Sequence, residues 1–255
     1  DWSSDVCSSD LKITRQNKKQ SNEVDSSFSL KKVIPITDTQ KDVIDAFNED
    51  LNLVLIGSAG TGKTFLSIYL ALKSLMTNKN GPNKIVIIRS IVSTRDVGFL
   101  PGTLKEKIAV YEEPYKAIFS ELYGRGDAYE ILEKKGLVEF CSTSYLRGTT
   151  INDAIVILDE FQNCNFAEID TVISRLGKNS KFIACGDIMQ TDLIKNKWDV
   201  TGLPDFINIV DTIDSFDIIE FTTEDIVRSG LVKSYILAKN DYFDKNKNRV
   251  DTLNY

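Results

Sequence analysis

The chain has 255 residues and 42% hydrophobic content, enough for one large domain with a sizeable core. Its 31 basic and 37 acidic residues leave a net charge of −6, so it is no globally basic nucleic-acid coat, and any nucleic-acid contact must come from a local patch. It has no histidine, which excludes His-based catalysis and His-ligated metals. Its four cysteines, Cys7, Cys141, Cys164 and Cys185, are scattered without a C-x-x-C pair and read as thiols in a reducing cytosol. No run of 18 apolar residues exists, so no membrane helix is expected and a cytoplasmic location is.

Residues 1–11, DWSSDVCSSDL, resemble a translated sequencing adapter, and no initiator Met precedes them, so this tail is expected not to be native. Residues 12–32 are polar and lysine-rich and read as a flexible arm. A helix is expected over 38–49, capped by Thr37 or Asp38, then a strand over 52–57 and a long helix to about 77. Gly81-Pro82 breaks the chain before a buried strand at 84–88. Residues 104–123 look helical but interrupted at Pro114, and 137–140 is a short strand. Further strands are expected at 154–158, 181–185 and 217–221, with helices at 166–176 and 224–239. Short apolar strands alternating with helices predict an α/β fold with a mostly parallel central sheet covered on both faces. The domain is expected to span 33–240, with a polar tail at 241–255.

The strongest chemical statement is Gly57, Ser58, Ala59, Gly60, Thr61, Gly62, Lys63 and Thr64, which fit G-x-x-x-x-G-K-[ST] between a strand and a helix. Glycines let the backbone wrap phosphates, and loop N–H groups with the helix N-terminus face the anion. Lys63, on a loop expected to face solvent and to carry little core packing, would reach the β/γ-phosphates, and the Thr64 hydroxyl would hold Mg²⁺. A second piece is AIVILDE at 154–160. An apolar strand delivers Asp159 and Glu160 to the sheet edge where ligands of open α/β folds bind. Asp159 would serve Mg²⁺, and Glu160 would orient or deprotonate a water. A third piece is KFIACGDIMQ at 181–190, where a further buried strand runs into Asp187, which could position that water, and Gln190, which could sense the γ-phosphate. Asn196, Lys197 and Asp199 spell the guanine-reading N-K-x-D, but no buried strand precedes them and Asp159 lacks the GTPase D-x-x-G, so ATP is the expected nucleotide.

With these pieces in place the chain resembles the PhoH family of P-loop ATPases, whose core is similar to the first motor domain of superfamily 1 helicases. The segments that carry the resemblance are GSAGTGKT (57–64), GFLPG (98–102), RGTTIND (147–153), ILDEFQN (157–163), GDIMQTD (186–192) and DIVRSGLV (225–232). The resemblance implies a P-loop NTPase (RecA-like) three-layer sandwich with a mostly parallel central sheet, and ATP binding and hydrolysis with an RNA or single-stranded DNA connection. It makes Lys63, Glu160, Gln190 and Arg228 catalytic, Thr64 and Asp159 metal-holding, and Gln40 an adenine reader. Phe161, Ser90 and Ser229 depart from the family's usual Ala, Pro and His.

An ATPase is the leading reading. A regulatory nucleotide-binding module and a small-molecule kinase are the alternatives. The basic residues Arg89, Arg95, Lys105 and Lys107 are the candidate nucleic-acid edge. Only about fifteen residues follow 240, so a second motor domain is not expected in this chain. Arg228 could reach its own site or a neighbour's, and it is expected to act across a subunit boundary in a homo-oligomer, with a hexamer as the first size to test.

Overall fold

The computed structural model describes residues 28–91, 104–146, 148, 150–187 and 201–251. Six strands, β1 (Asn52–Gly57), β2 (Lys84–Arg89), β3 (Val138–Ser142), β4 (Ala154–Asp159), β5 (Lys181–Gly186) and β6 (Phe216–Phe221), form one sheet in the order β3-β2-β4-β5-β1-β6. Every pairing among them is parallel. The inner strands are apolar almost throughout because both faces are covered. Alternate side chains divide between two cores. Leu53, Leu55, Ile155, Ile157 and Ile183 face one, while Val54, Ile56, Val156, Leu158 and Phe182 face the other.

Helices α1 (Asp38–Asn48), α2 (Lys63–Thr77), α3 (Leu104–Tyr123) and α4 (Ala128–Lys134) close the first core. Helices α5 (Phe166–Ile173) and α6 (Leu203–Val210) close the second, which makes the three-layer sandwich. Local chemistry starts these helices. The Thr37 hydroxyl accepts from the Gln40 amide at 3.3 Å, and Asn165 with Glu168 forms a reciprocal capping box on α5.

Four helices differ from the sequence expectation. Pro114 does not interrupt α3, which runs unbroken through it. Burial of Tyr115, Phe119 and Leu122 on one face, at about 1.5–3 kcal/mol for a large apolar side chain, offsets the lost helical hydrogen bond. Helices α4 and α6, of 7 and 8 residues, have no counterpart in the sequence expectation. The closing helix α7 spans Gly230–Asp251, so it starts later than expected and continues into the segment expected as a polar tail. Among the described residues no helix is long and apolar enough to cross a membrane.

Register then places the chemistry. Arg89, Asp159 and Cys185 are Cα partners across β2, β4 and β5, and Ile56 pairs with Gly186. The carboxyl ends of four strands thus meet at one edge.

Candidate active site

The glycine loop bridges β1 and α2. Gly57 has φ +129°, and a Cβ there would lie 2.0 Å from the Phe221 carbonyl oxygen. Only glycine allows that conformation and that approach of β6. Gly60, at φ +81°, lies under the Arg228 side chain, whose Cγ would be 2.7 Å from an added Cβ.

Lys63 is not solvent-facing. It is 8% exposed, and its ammonium donates to the carbonyls of Gly57 and Ser58 at 2.8 Å each and to Thr61 Oγ1 at 3.3 Å. The loop curls around the lysine, so a residue of high surface preference becomes buried with its donors satisfied. Burial lowers its pKa, while Cys185, Asp187, Glu160 and Asp159 pull it back up.

Asp159, at the end of β4, is held from two helices. Thr64 Oγ1 in the first turn of α2 donates to Oδ1 at 2.7 Å, and the Tyr115 hydroxyl on α3 donates to Oδ2 at 2.8 Å. Burial and then Glu160 push the Asp159 carboxyl above its ordinary value, and Thr64, Tyr115 and Arg89 oppose that. Burial next to a carboxylate pushes the Tyr115 hydroxyl well up, so it keeps its proton and acts as donor. Arg89 is half-buried, faces Tyr115 and Asp159, and lies over the Tyr111 ring at 5.7 Å. Arg89, expected on the nucleic-acid edge, is thus partly drawn into the sheet edge. The other three residues of that edge, Arg95 and the side chains of Lys105 and Lys107, lie outside the described residues.

Glu160 takes a left-handed conformation, φ 52° and ψ 40°, which a non-glycine residue holds only when its surroundings enforce it. Gln162 supplies part of that enforcement. Its Nε2 donates to Glu160 Oε2, and its Oε1 accepts from the Asp187 amide at 3.0 Å. One amide thereby joins the end of β4 to the end of β5. Phe161 is fully buried, edge-on to Phe206 at 5.9 Å, and its ring closes over Gly186, where no Cβ fits. Ser90 donates to Glu168 Oε1 at 3.0 Å, as does Thr143 at 2.7 Å, which ties the ends of β2 and β3 to α5.

Gln40 reaches the loop from α1. Its Nε2 donates to the Thr61 carbonyl at 3.1 Å, and its Oε1 accepts from the Ile36 amide at 2.8 Å. Gln40, Lys63, Thr64, Asp159, Glu160 and Arg228 all line one cleft of about 670 Å³. Arg228 lies in the loop before α7 and against its own chain's glycine loop, so it reaches this site without a neighbour. Gln190 lies outside the described residues, as do Asn196, Lys197 and Asp199.

Thr64 Oγ1 and Asp159 Oδ1 are adjacent hard oxygen donors, the type Mg²⁺ takes. No group of three His, Cys, Asp or Glu side chains is assembled among the described residues, and Mg²⁺ carried on a phosphate chain needs only one or two protein oxygens. The residues present fit that ion. Two contributors had little sequence signal. Gln162 sits inside ILDEFQN but reads there as a generic polar residue, and Tyr115 carries no local mark at all.

The "PhoH-like protein" of Mycobacterium leprae (strain TN) is 36% identical over 215 residues, covering 83% of this chain and 60% of that protein. The "PhoH-like protein" of Bacillus subtilis (strain 168) is 38% identical over 201 residues, covering 78% and 61%. "Protein PhoH" of Escherichia coli (strain K12) is 35% identical over 184 residues, covering 71% and 51%. The chain therefore spans between half and about 60% of the length of these relatives. Among solved structures, the Sulfolobus solfataricus SWI2/SNF2 ATPase core in complex with dsDNA aligns at 14% identity with a TM-score of 0.43, over 77% of this chain and 46% of that one. That likeness is too loose to carry an argument. The family profile described as PhoH-like protein matches residues 32–240, from just before α1 into α7 and across every strand of the sheet, and on that match the chain belongs to the PhoH family of nucleotide-binding P-loop proteins.

Proposed function

We propose that the protein is a Mg²⁺-dependent ATPase whose turnover is coupled to RNA or single-stranded DNA. The observation that supports this most is the contact of Thr64 with Asp159 beneath the glycine loop, with Glu160 next in sequence. In this reading the loop amides and Lys63 bind the phosphate chain. Glu160 takes a proton from the attacking water, whose oxygen bonds to the γ-phosphorus as the bond to the bridging oxygen breaks, giving ADP and phosphate. Arg228, and Gln190 by resemblance, meet the developing γ-phosphate charge. Thr64 and Asp159 would hold Mg²⁺, which when bound would supply charge neutralisation to the phosphate chain.

The nucleic-acid part rests on the helicase-like motif layout and on Arg95, Lys105 and Lys107 near GFLPG. A cytoplasmic location is part of the same reading, supported by cysteines scattered in sequence without a C-x-x-C pair. A homo-oligomer, a hexamer first, completes the reading, although Arg228 does not require one; its mass in solution is the test. The central experiment is phosphate release with and without RNA and single-stranded DNA across a salt series. Stimulation that fades steeply with salt is expected. Tight ATP binding without release would favour a regulatory module, and a phosphorylated acceptor would favour a kinase.

A further inference from the structure

Most of the buried polar groups at the strand edge belong to the recognised motifs. Tyr115 does not. It comes from the middle of α3, 44 residues before the carboxylate it contacts, and it follows the proline that the helix runs through. It is 1% exposed, and its ring packs 5.5 Å from the Phe140 ring. Packing on β3 therefore fixes where its hydroxyl ends, and solvent has no part in it. That end point is Asp159 Oδ2 at 2.8 Å, while the other oxygen takes the Thr64 hydroxyl at 2.7 Å. A carboxylate with one oxygen anchored still rotates about its last bond; with both anchored it does not. Arg89, the register partner of Asp159, closes the group from β2.

We propose that Tyr115 is a positioning residue for Asp159: its hydroxyl holds Oδ2 so that Oδ1 stays at Thr64, where the metal-bearing phosphate chain is received. This rests on the reading of Thr64 and Asp159 as the Mg²⁺-holding pair. Partners that orient a metal-site ligand cost about 10–100-fold in metal affinity or activity when removed. A tyrosine that merely fills the core would lose nothing specific to metal when its hydroxyl is taken away.

Tyr115→Phe keeps the ring and removes only the hydroxyl. The readout is equilibrium binding of a fluorescent ATP analogue, titrated with Mg²⁺ and repeated in EDTA, so no turnover is needed. The Mg²⁺ concentration for half-maximal binding should rise about tenfold, with binding in EDTA unchanged. In an Asp159→Asn background, Tyr115→Phe should add nothing, because the group it orients has been altered. An unchanged Mg²⁺ requirement would overturn the proposal. So would equal weakening with and without Mg²⁺, or an undiminished effect in the Asp159→Asn background. Mg²⁺-independent binding by the parent protein would overturn the metal-site reading itself, and the role of Tyr115 with it. A melting curve for each variant identifies one that fails to fold. Should Tyr115→Phe do so, its role is structural and the proposal is overturned.

Discussion

Thr64 Oγ1 and Asp159 Oδ1 stand 2.7 Å apart although 95 residues separate them. This bond joins the first turn of α2 to the end of β4, and it turns two separate motifs into one site. Thr64→Val keeps the shape and removes the hydroxyl. A buried carboxylate oxygen then loses its partner, at about 1–3 kcal/mol. We expect Mg²⁺-dependent ATP binding to fall at least about tenfold, with Thr64→Ser near the parent value. Equilibrium binding with and without Mg²⁺ checks this, and equal binding by Thr64→Val and the parent would count against the pair.

Glu160→Gln should bind ATP with Mg²⁺ and turn it over about 10²–10⁴-fold more slowly, because it removes the group that accepts the proton from water. The side-chain volume is unchanged, so melting should move little. Loss of binding as large as the loss of turnover would mean that Glu160 holds the metal and leaves water activation to another group.

Arg228 lies over Gly60 of its own chain, which makes a specific forecast for mixed subunits. Lys63→Met and Arg228→Ala proteins should each be nearly inactive. Mixing them should restore nothing, since each site needs both residues from one chain. Recovered activity in a co-assembled mixture would place the arginine across a boundary between copies.

Gly57→Ala and Gly60→Ala separate folding from function. At Gly57 the added Cβ meets backbone at 2.0 Å in a φ +129° conformation, so β1 and β6 must part. We expect a loss of more than about 2 kcal/mol, read from the denaturation midpoint. At Gly60 the nearest atom belongs to a long side chain that can move away, which leaves mainly the left-handed backbone strain. Its stability loss should be the smaller, and its loss of turnover should resemble that of Arg228→Ala.

The parts of the site legible in the sequence are those written in consecutive residues. Residues 57–64 and 154–160 each combine an apolar strand with the group it presents, so spacing alone places them at one sheet edge. The rest depends on residues that only the fold brings together. Arg89 reads as a surface charge until β4 is set beside β2 in register. Tyr115 reads as one more aromatic on a helix, and Pro114 before it argues for a break that packing overrides. Lys63 reads as exposed because lysine usually is, whereas here the loop's own carbonyls surround it. Helix α4 is invisible for a simpler reason, since its 7 residues make only about two turns.

The stretch between β6 and α7 is fastened to the glycine loop by a bond from the Val227 amide to the Gly60 carbonyl, at 3.1 Å. Both partners are main-chain groups, so this fastening is encoded in no side chain. An alanine scan of the region would pass over it, and sequence drift at 227 leaves it intact for every residue but one. Proline alone removes the donor. The root of α7 is thus tied to the phosphate loop by a connection that mutation can scarcely reach.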